Sequence, residues 1–382
     1  MTDYDLIIIG AGIHGAAIAN AAAHDGYRVC VLEQYAEAAL ATSSRSSKLI
    51  HGGLRYLESY QFKLVKECLN ERAILLKTAP SLVRLAAFYI PVYRHSKRPC
   101  WMIALGLLLY RLLGGGRFKK IPKQQWSSLD SLNTDDLLCV YQYFDGVTDD
   151  QQLTRALLQQ AISKGAELKT DSAVTQCQLE NDYVAVDIGH NKSLTAKLLI
   201  NASGPWVNSL LAATQPRQSP LALELVQGTH VIIPRSVNAG VYYFEASDQR
   251  VIFAIPWQQY CLLGTTETAF SGEPDQPQPL TEEIDYLLKA WNRTFNDNLS
   301  SDDLIDAFAG LRILPQSNEN AFKRSRDTLI HTDKPDQPRL ISIVGGKLTA
   351  HRATAERVMD IVHQQLPGHE RIDSRKLKLP EQ

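Results

Sequence analysis

The sequence predicts an α/β fold in which a Rossmann-like, mostly parallel nucleotide-binding domain carries an inserted antiparallel β-rich domain. Three observations predict it. Residues 5–10, Asp-Leu-Ile-Ile-Ile-Gly, form an apolar run that ends at glycine; an alanine-rich stretch follows over 13–24, and a second apolar run covers 27–32. Strand, helix and strand of that total length make one βαβ unit, whose parallel strands are buried by helices on both faces. From 223 to 267 the pattern changes to short apolar runs at 229–233, 241–244, 251–255 and 260–263, separated by Pro, Gly, Asp and Gln, the pattern of an antiparallel meander.

The remaining elements follow in order. The Pro-rich stretch 272–280 is a solvated loop, and Thr281, with Glu283 close behind, starts a helix that continues to residue 295. Residues 340–344 are again a strand, Gly345-Gly346 a turn, and 348–365 an amphipathic helix, so the nucleotide-domain pattern returns near the end of the chain. The first domain is therefore discontinuous. It takes 1–90, 146–215 and 326–382; 91–145 is a helical, basic segment, and 216–325 is the β-rich substrate domain.

The 382 residues have the length of two domains. Hydrophobic residues at 45% and charged residues at 21% exclude a disordered, collagen-like or multispan membrane chain. Forty basic against forty-one acidic side chains leave a net charge of −1, which excludes a globally cationic nucleic-acid binder and directs attention to local patches. The six cysteines, Cys30, Cys68, Cys100, Cys139, Cys177 and Cys261, are scattered, with no CxxC and no clustered His/Cys spacing. No zinc or iron–sulfur site is expected, nor a disulfide framework, and a reducing, cytoplasmic compartment is the simpler expectation. Met1 leads almost at once into an apolar strand, without the basic region or cleavage site of a secretory signal.

Gly10-Ala-Gly12-Ile-His-Gly15 is a GxGxxG between strand and helix, with Glu33 ending the next strand. Gly10 allows the tight turn, Gly12 lets a pyrophosphate approach the backbone, and Gly15 permits close helix–strand packing. Ile13 and His14 complete a helix N-terminus that offers amides and positive potential to phosphates, while Glu33, followed by Gln34, accepts from a ribose hydroxyl. The fingerprint alone does not separate NAD from FAD. The loop beyond the acid does: Thr42, Ser43, Ser44, Ser47, Lys48, Leu49, Gly52 and Gly53 supply the hydroxyl and amide donors that a buried flavin dinucleotide requires. No second GxGxxG serves a separate nicotinamide nucleotide, so one tightly held FAD is expected. Val174 is placed in the same cofactor set, as is Gly204, in a strand-to-turn segment whose competing reading is a simple packing turn.

Eight ordered blocks then carry a resemblance. They are 10–15, 42–44, 46–58, Asn201-Ala-Ser-Gly-Pro-Trp-Val207, Gly228-Thr-His-Val-Ile-Ile-Pro234, Gly264-Thr-Thr, Gly310-Leu-Arg312 and Gly345-Gly-Lys-Leu-Thr349. In these the sequence resembles the FAD-dependent glycerol-3-phosphate dehydrogenases, within the glycine/D-amino-acid oxidase type of flavoproteins. The resemblance implies oxidation of sn-glycerol 3-phosphate to dihydroxyacetone phosphate, with electrons passing from FAD to a membrane quinone. It makes Arg55, Arg312 and Lys347 the candidate phosphate ligands, with Arg326 following them in the chain. Arginine suits the role because its planar fork binds two oxygens at once. His51 and His230 are both candidate bases, since imidazole titrates near neutrality; a satisfied core histidine is the competing reading for each. Tyr56 and Thr265 are candidate hydrogen-bonding partners of the substrate. Gly345, Gly346, Lys347, Leu348 and Thr349 turn a strand into a helix whose N-terminus and ammonium would stabilise negative charge on a reduced flavin.

His14, Arg45 and Ile313 depart from that family's pattern, and the chain ends soon after the Gly345 block, where the family adds a C-terminal helical domain. Residues 94–120 hold seven Lys or Arg and no acid, around a thirteen-residue apolar core at 101–113 that falls short of a span of roughly twenty. Two readings stay open: a peripheral contact with the inner face of the cytoplasmic membrane near a quinone pool, or a buried helix over the site. For function, the alternatives are an amino-acid or hydroxy-acid oxidase of the same fold, because arginine binds carboxylate as readily as phosphate, and a non-catalytic flavin-binding protein.

Overall fold

The glycine-rich motif sits at the centre of a nine-stranded sheet. In the computed structural model, which describes residues 2–189, 192–316 and 328–380, strand Tyr4–Ile9 lies between Val29–Leu32 and Ser193–Asn201 and runs parallel to both. Leu340–Val344 is parallel to Ser193–Asn201 on its other edge, and Glu167–Lys169 extends the sheet beyond Val29–Leu32. Leu6, Ile7 and Ile8 are fully buried, which is why this strand reads as a continuous apolar run rather than an alternating one. Helices Ile13–His24, Asp150–Ser163 and His351–Gln365 pack on one face in a single apolar cluster. The alanines of Ile13–His24 allow that close packing, since they bring little side-chain bulk to the helix contacts. The expected mostly parallel sheet is found, with antiparallel pairings at Gln176–Leu179, Val184–Asp187 and Leu329–Thr332.

The second sheet has ten strands and draws on more of the chain than the meander. Val83–Tyr93 pairs antiparallel with Leu137–Thr148 along their whole length and parallel with Val241–Glu245, which joins residues 83–148 to the strands of 223–315. The segment 91–145 thus contains the α-helix Cys100–Tyr110, the short helical turns Arg111–Gly115 and Lys123–Ser128, and also strands Lys119–Ile121 and most of Leu137–Thr148. The physical reason is in the second strand: Val140, Tyr141, Tyr143, Phe144 and Val147 fit a pleated surface better than a helix, and Cys139, Tyr141 and Tyr143 enter an apolar cluster with Phe88 and Ile90. Helix Thr281–Thr294 forms as expected.

Strand Asp306–Pro315 pairs with Leu223–Ile233 from Leu223 opposite Pro315 to Ile232 opposite Asp306, which sets Gly228 opposite Gly310 and Arg312 opposite Val226. This long pairing delivers the Gly310 block to the junction with the nucleotide-binding sheet.

The cysteine expectation is corrected at one place. Cys100 and Cys139 form a disulfide with a Cα–Cα distance of 6.4 Å; Cys30, Cys68, Cys177 and Cys261 are buried and belong to no disulfide. A separation of 39 residues gave no hint of the pair, because helix and strand meet only in the tertiary fold.

Candidate active site

A cavity of about 420 Å³ runs between the glycine loop, the 345–349 turn and the 310–315 strand end. Gly10, at φ 100°, makes the tight turn off the first strand, and a Cβ there would stand 2.6 Å from the Ala202 carbonyl oxygen. A Cβ on Gly15 would stand 1.9 Å from the Gly10 carbonyl oxygen, so helix and strand meet at a distance that glycine alone permits. Ile13 donates its N–H to Ser43 Oγ at 2.9 Å, joining the helix N-terminus to the hydroxyl loop. Glu33 is buried and accepts from the Ala11 and Tyr35 amides at 2.8 and 3.1 Å. Each oxygen keeps a further lone pair toward the cavity it lines.

Most of the expected cofactor residues line this cavity: Gly10, Gly12, Ile13, His14, Glu33, Gln34, Thr42, Ser43, Ser47, Leu49, Val174, Gly204, Gly345, Gly346, Lys347, Leu348 and Thr349. Five do not, and each has another task. Gly15 packs the helix; Ser44 Oγ donates to the Ala41 carbonyl at 3.0 Å; Gly52 gives its N–H to Tyr110; Gly53 takes φ 77° to start the turn carrying Arg55. Lys48 is buried, with Nζ on Asp150 Oδ1 at 2.5 Å and on the Ser44 carbonyl at 3.1 Å, so its ammonium braces the loop from behind.

The donor set fits an FAD. Backbone cradle, ribose acid and hydroxyl loop lie in one channel, and His14 adds a polar atom that wants a partner. The residue is half-buried, the Gly345 backbone is a hydrogen-bond partner, and Nδ1 is out of reach of solvent with no partner. Burial, the neighbouring His351 and Arg357 push its pKa down to about 4 against that bond, so the imidazole is neutral near pH 7.

At the far end the same cavity is lined by His51, Tyr56, Arg312 and Lys347. Lys347 Nζ lies 3.8 Å from the centroid of the Tyr56 ring and Arg55 Cζ 5.2 Å from it, so one aromatic ring gathers two cations. Arg312 Nη1 and Arg55 Nη2 both reach Glu267 Oε1, at 3.3 and 3.8 Å. Gly228 provides the room: a Cβ there would stand 2.7 Å from Thr265 Oγ1 and 3.1 Å from Arg312 Nη2. Arg55, Thr265 and His230 thus stand behind the lining residues rather than on the wall. Arg326 lies outside the described residues.

The two histidines differ. His51 faces the cavity, with its backbone held on both sides by Thr349: N–H to Oγ1 at 3.1 Å, and Oγ1 to the carbonyl at 3.3 Å. His230 is 1% exposed, stacks on Phe308 at 5.2 Å and meets Ser47 Oγ through Nε2 at 2.9 Å. Its pKa is pushed down to about 3, chiefly by burial and then by Arg312 and Lys48. It therefore reaches the cavity through Ser47.

Sequence reasoning assigned no role to Glu267, directly after the Gly264-Thr-Thr block, to Ser203 and Trp206 inside the 201–207 block, or to Pro315; the last three line the cavity.

Comparison with known proteins agrees with this geometry. The family model described as FAD dependent oxidoreductase (DAO) matches residues 5–356. The chain is 37% identical over 370 residues to the aerobic glycerol-3-phosphate dehydrogenase of Escherichia coli (strain K12), covering 94% of this chain and 73% of that protein. It is 36% identical over 368 residues to the D-erythritol 1-phosphate dehydrogenase of Brucella abortus (strain 2308), covering 93% and 72%. Among solved structures, that of the glycerol-3-phosphate dehydrogenase from Bacillus halodurans complexed with FAD superposes with a TM-score of 0.78 at 28% identity, over 99% of this chain and 68% of that one. With the family model matching residues 5–356, and the glycine loop, Glu33, Arg312 and Lys347 all lining one cavity, this chain belongs to the DAO family of FAD dependent oxidoreductases.

Proposed function

We propose that this protein oxidises sn-glycerol 3-phosphate to dihydroxyacetone phosphate. The observation that carries the reading is the convergence of Arg55, Arg312 and Lys347 on Tyr56 and Glu267, at the end of the cavity that begins with the glycine cradle. Two guanidiniums and an ammonium suit a phosphate ester's oxygens better than a lone carboxylate. The relatives' names, a glycerol-3-phosphate and a D-erythritol 1-phosphate dehydrogenase, share that substrate chemistry, a short polyol bearing one phosphate.

Arg312 and Lys347 grip the phosphate, with Arg55 held behind them through Glu267, and Tyr56 closes the aromatic side. His51 takes the proton from the secondary hydroxyl, since of the two candidate bases it is the one that lines the cavity, at the Arg312 and Lys347 end. His230 holds Ser47 in place as a neutral hydrogen-bond partner. Bound FAD supplies the two-electron acceptor for the hydride leaving the same carbon. The electrons then pass to a quinone.

A peripheral membrane contact supports that last step. Helix Cys100–Tyr110 buries Ile103, Leu107 and Tyr110 and leaves Trp101 68%, Leu105 49% and, just beyond its end, Leu112 74% exposed. Arg111, Arg117, Lys119 and Lys120 follow in sequence. No helix among the described residues is long and apolar enough to cross a membrane, so an interfacial position is the one this face suits.

Anaerobic mixing of the yellow holoprotein with sn-glycerol 3-phosphate tests the reading. Bleaching of the flavin absorbance is expected, slowed in His51→Gln far more than substrate affinity is weakened. D-Erythritol 1-phosphate, glycine and glycolate complete the panel; bleaching by the last two and not by the phosphate esters would sink the proposal.

A further inference from the structure

Arg98 is a buried guanidinium that does not line the cavity. It is 5% exposed, stands two residues ahead of helix Cys100–Tyr110, and directs its donors at two carboxylates. Nε and Nη2 donate to the two oxygens of Glu58, the second of these bonds at 2.8 Å, and Nη1 donates to Glu245 Oε1 at 2.6 Å. A planar fork matched to both oxygens of one carboxylate fixes direction as well as distance.

The two carboxylates lead to different places. Glu58 directly follows the turn Leu54–Leu57, and its backbone N–H donates to the Arg55 carbonyl at 3.2 Å, so it closes the turn that carries Arg55 and Tyr56. Glu245 ends strand Val241–Glu245 and accepts from the Lys97 amide at 2.9 Å, which holds the chain entering the helix to the second sheet. Ahead of the turn, the Gly52 N–H donates to Tyr110, the last residue of the same helix. The segment 52–58 is therefore gripped at both ends by one stretch of chain, 98–110. Tyr243, also buried, lies within electrostatic reach of Arg98, Glu58 and Arg55, so the ion pair and the turn share a neighbour.

We propose that Arg98 and Glu58 are positioning residues: through the Glu58 backbone, their ion pair sets the turn that presents Arg55 and Tyr56 to the anionic group of the substrate. Tyr56 is in turn the ring beneath Lys347 Nζ, so a shift of this turn reaches two cations of the site. The proposal rests on the phosphate-ester reading above and names what aims the groups that grip the ester.

The test compares Glu58→Gln with Glu245→Gln in flavin-loaded protein. Both remove one negative charge beside the same guanidinium, so an effect of charge alone moves them alike, whereas only Glu58→Gln loosens the turn. Affinity for inorganic phosphate, followed by calorimetry or by perturbation of the flavin spectrum, should fall about tenfold in Glu58→Gln, the scale of a binding group displaced by a fraction of an ångström. KM for sn-glycerol 3-phosphate should rise with it, kcat should change less, and flavin content should stay the same. Glu245→Gln alters the more buried carboxylate, 14% exposed against 36%, and should lose more stability in urea while keeping the wild-type phosphate affinity. Equal affinities in wild type and Glu58→Gln, or an equal fall in Glu58→Gln and Glu245→Gln, overturns the proposal. Arg98→Lys, which keeps the charge and loses the fork, decides it if Glu58→Gln does not fold: weakened phosphate binding there supports the role, and unchanged binding overturns it. Flavin bleaching by glycerol 3-phosphate in the wild type is scored separately. Bleaching with one phosphate affinity in all the variants sinks the role of the pair alone, whereas a Glu58-dependent affinity without bleaching sinks the substrate assignment alone.

Discussion

The phenolic oxygen of Tyr110 accepts the backbone N–H of Gly52 at 2.8 Å, tying the last residue of the exposed apolar helix to the residue next to His51. The same hydroxyl donates to Asp145 at 2.6 Å, and Asp145 is ion-paired with Arg72. All of these groups are buried, so none has water to fall back on.

Tyr110→Phe removes the hydroxyl that both the Gly52 amide and Asp145 use, leaving them, among the described residues, only each other and Arg72. The expected cost is about 2–4 kcal/mol, read from urea unfolding. The flavin should stay bound, because the glycine cradle is untouched. Turnover should drop by at least about tenfold through displacement of His51, and KM should move less than kcat.

Stability should fall on the acid side. His230 and His351 are buried and His14 half-buried, with pKa values pushed down to about 3, 4 and 4 respectively, in each case mainly by loss of hydration. Below the ordinary 6.5 the unfolded chain takes up these protons and the native state does not. The stability they provide is therefore complete above pH 6.5 and is lost as pH falls through the folded values. Asp145 works the other way. Burial, opposed by Arg72, raises it from 3.8 to about 6, so its contribution is complete below 3.8 and lost as pH rises through 6. Near pH 5 the slope of unfolding free energy against pH should correspond to about three protons from the histidines less about one from Asp145. His351→Gln should remove about one of them.

How much of this was legible in the sequence depended on range. The cradle could be read because Gly10, Gly12, Gly15 and Glu33 act within 24 residues, where strand, helix and spacing report on each other. Arg312 and Lys347 could be placed because each lies in a block that carries the family resemblance, Gly310-Leu-Arg and Gly345-Gly-Lys. Lys48 could not be placed correctly: its partner, Asp150, is 102 residues away, so a lysine in a hydroxyl-rich loop looks like a phosphate ligand until the fold brings the carboxylate behind it. Glu267 was invisible for a related reason. Nothing local tells an acid facing two arginines from an acid facing solvent. The strands within 91–145 were hidden by the apolar, basic helix that dominates that segment's composition.

Gly15→Ala puts a methyl group 1.9 Å from the Gly10 carbonyl oxygen, and neither the helix nor the strand can retreat without disturbing the cradle. A loss of about 2–3 kcal/mol is expected, the scale of overpacking against backbone. The sharper readout is the ratio of flavin to protein absorbance after gel filtration, which should collapse. Gly204→Ala, where a Cβ meets nothing within 4 Å, should show a much smaller loss, set by its positive φ of 59°.

Thiol titration checks the Cys100–Cys139 bridge directly. Unfolded without reductant, the chain should show four reactive thiols, and six after reduction. Closing a loop across 39 residues stabilises the fold by about 3–4 kcal/mol on chain-entropy grounds, so Cys139→Ser should unfold at correspondingly lower urea than the oxidised wild type and at about the same urea as the reduced one.

Helix Cys100–Tyr110 keeps Ile103 and Leu107 inside and turns Trp101, Met102, Leu105 and Leu108 outward, so its apolar surface is split between two destinations. The inward residues belong to the cluster shared with Tyr56 and Leu69; the outward ones have no such cover. A bilayer interface would receive the outward face, and anionic headgroups would receive Arg111, Arg117, Lys119 and Lys120. Two changes should then separate. Replacing Leu105, Leu108 and Leu112 by Ser should weaken pelleting with anionic vesicles by about tenfold per leucine, at any salt concentration. Replacing Lys119 and Lys120 by Gln should weaken it mainly at low salt, since charge attraction fades within about one Debye length. Neither set touches the cavity, so flavin bleaching by substrate in solution should stay unchanged while turnover with a vesicle-dissolved quinone falls. Equal pelleting by all three proteins at low salt would show that this face meets something other than lipid.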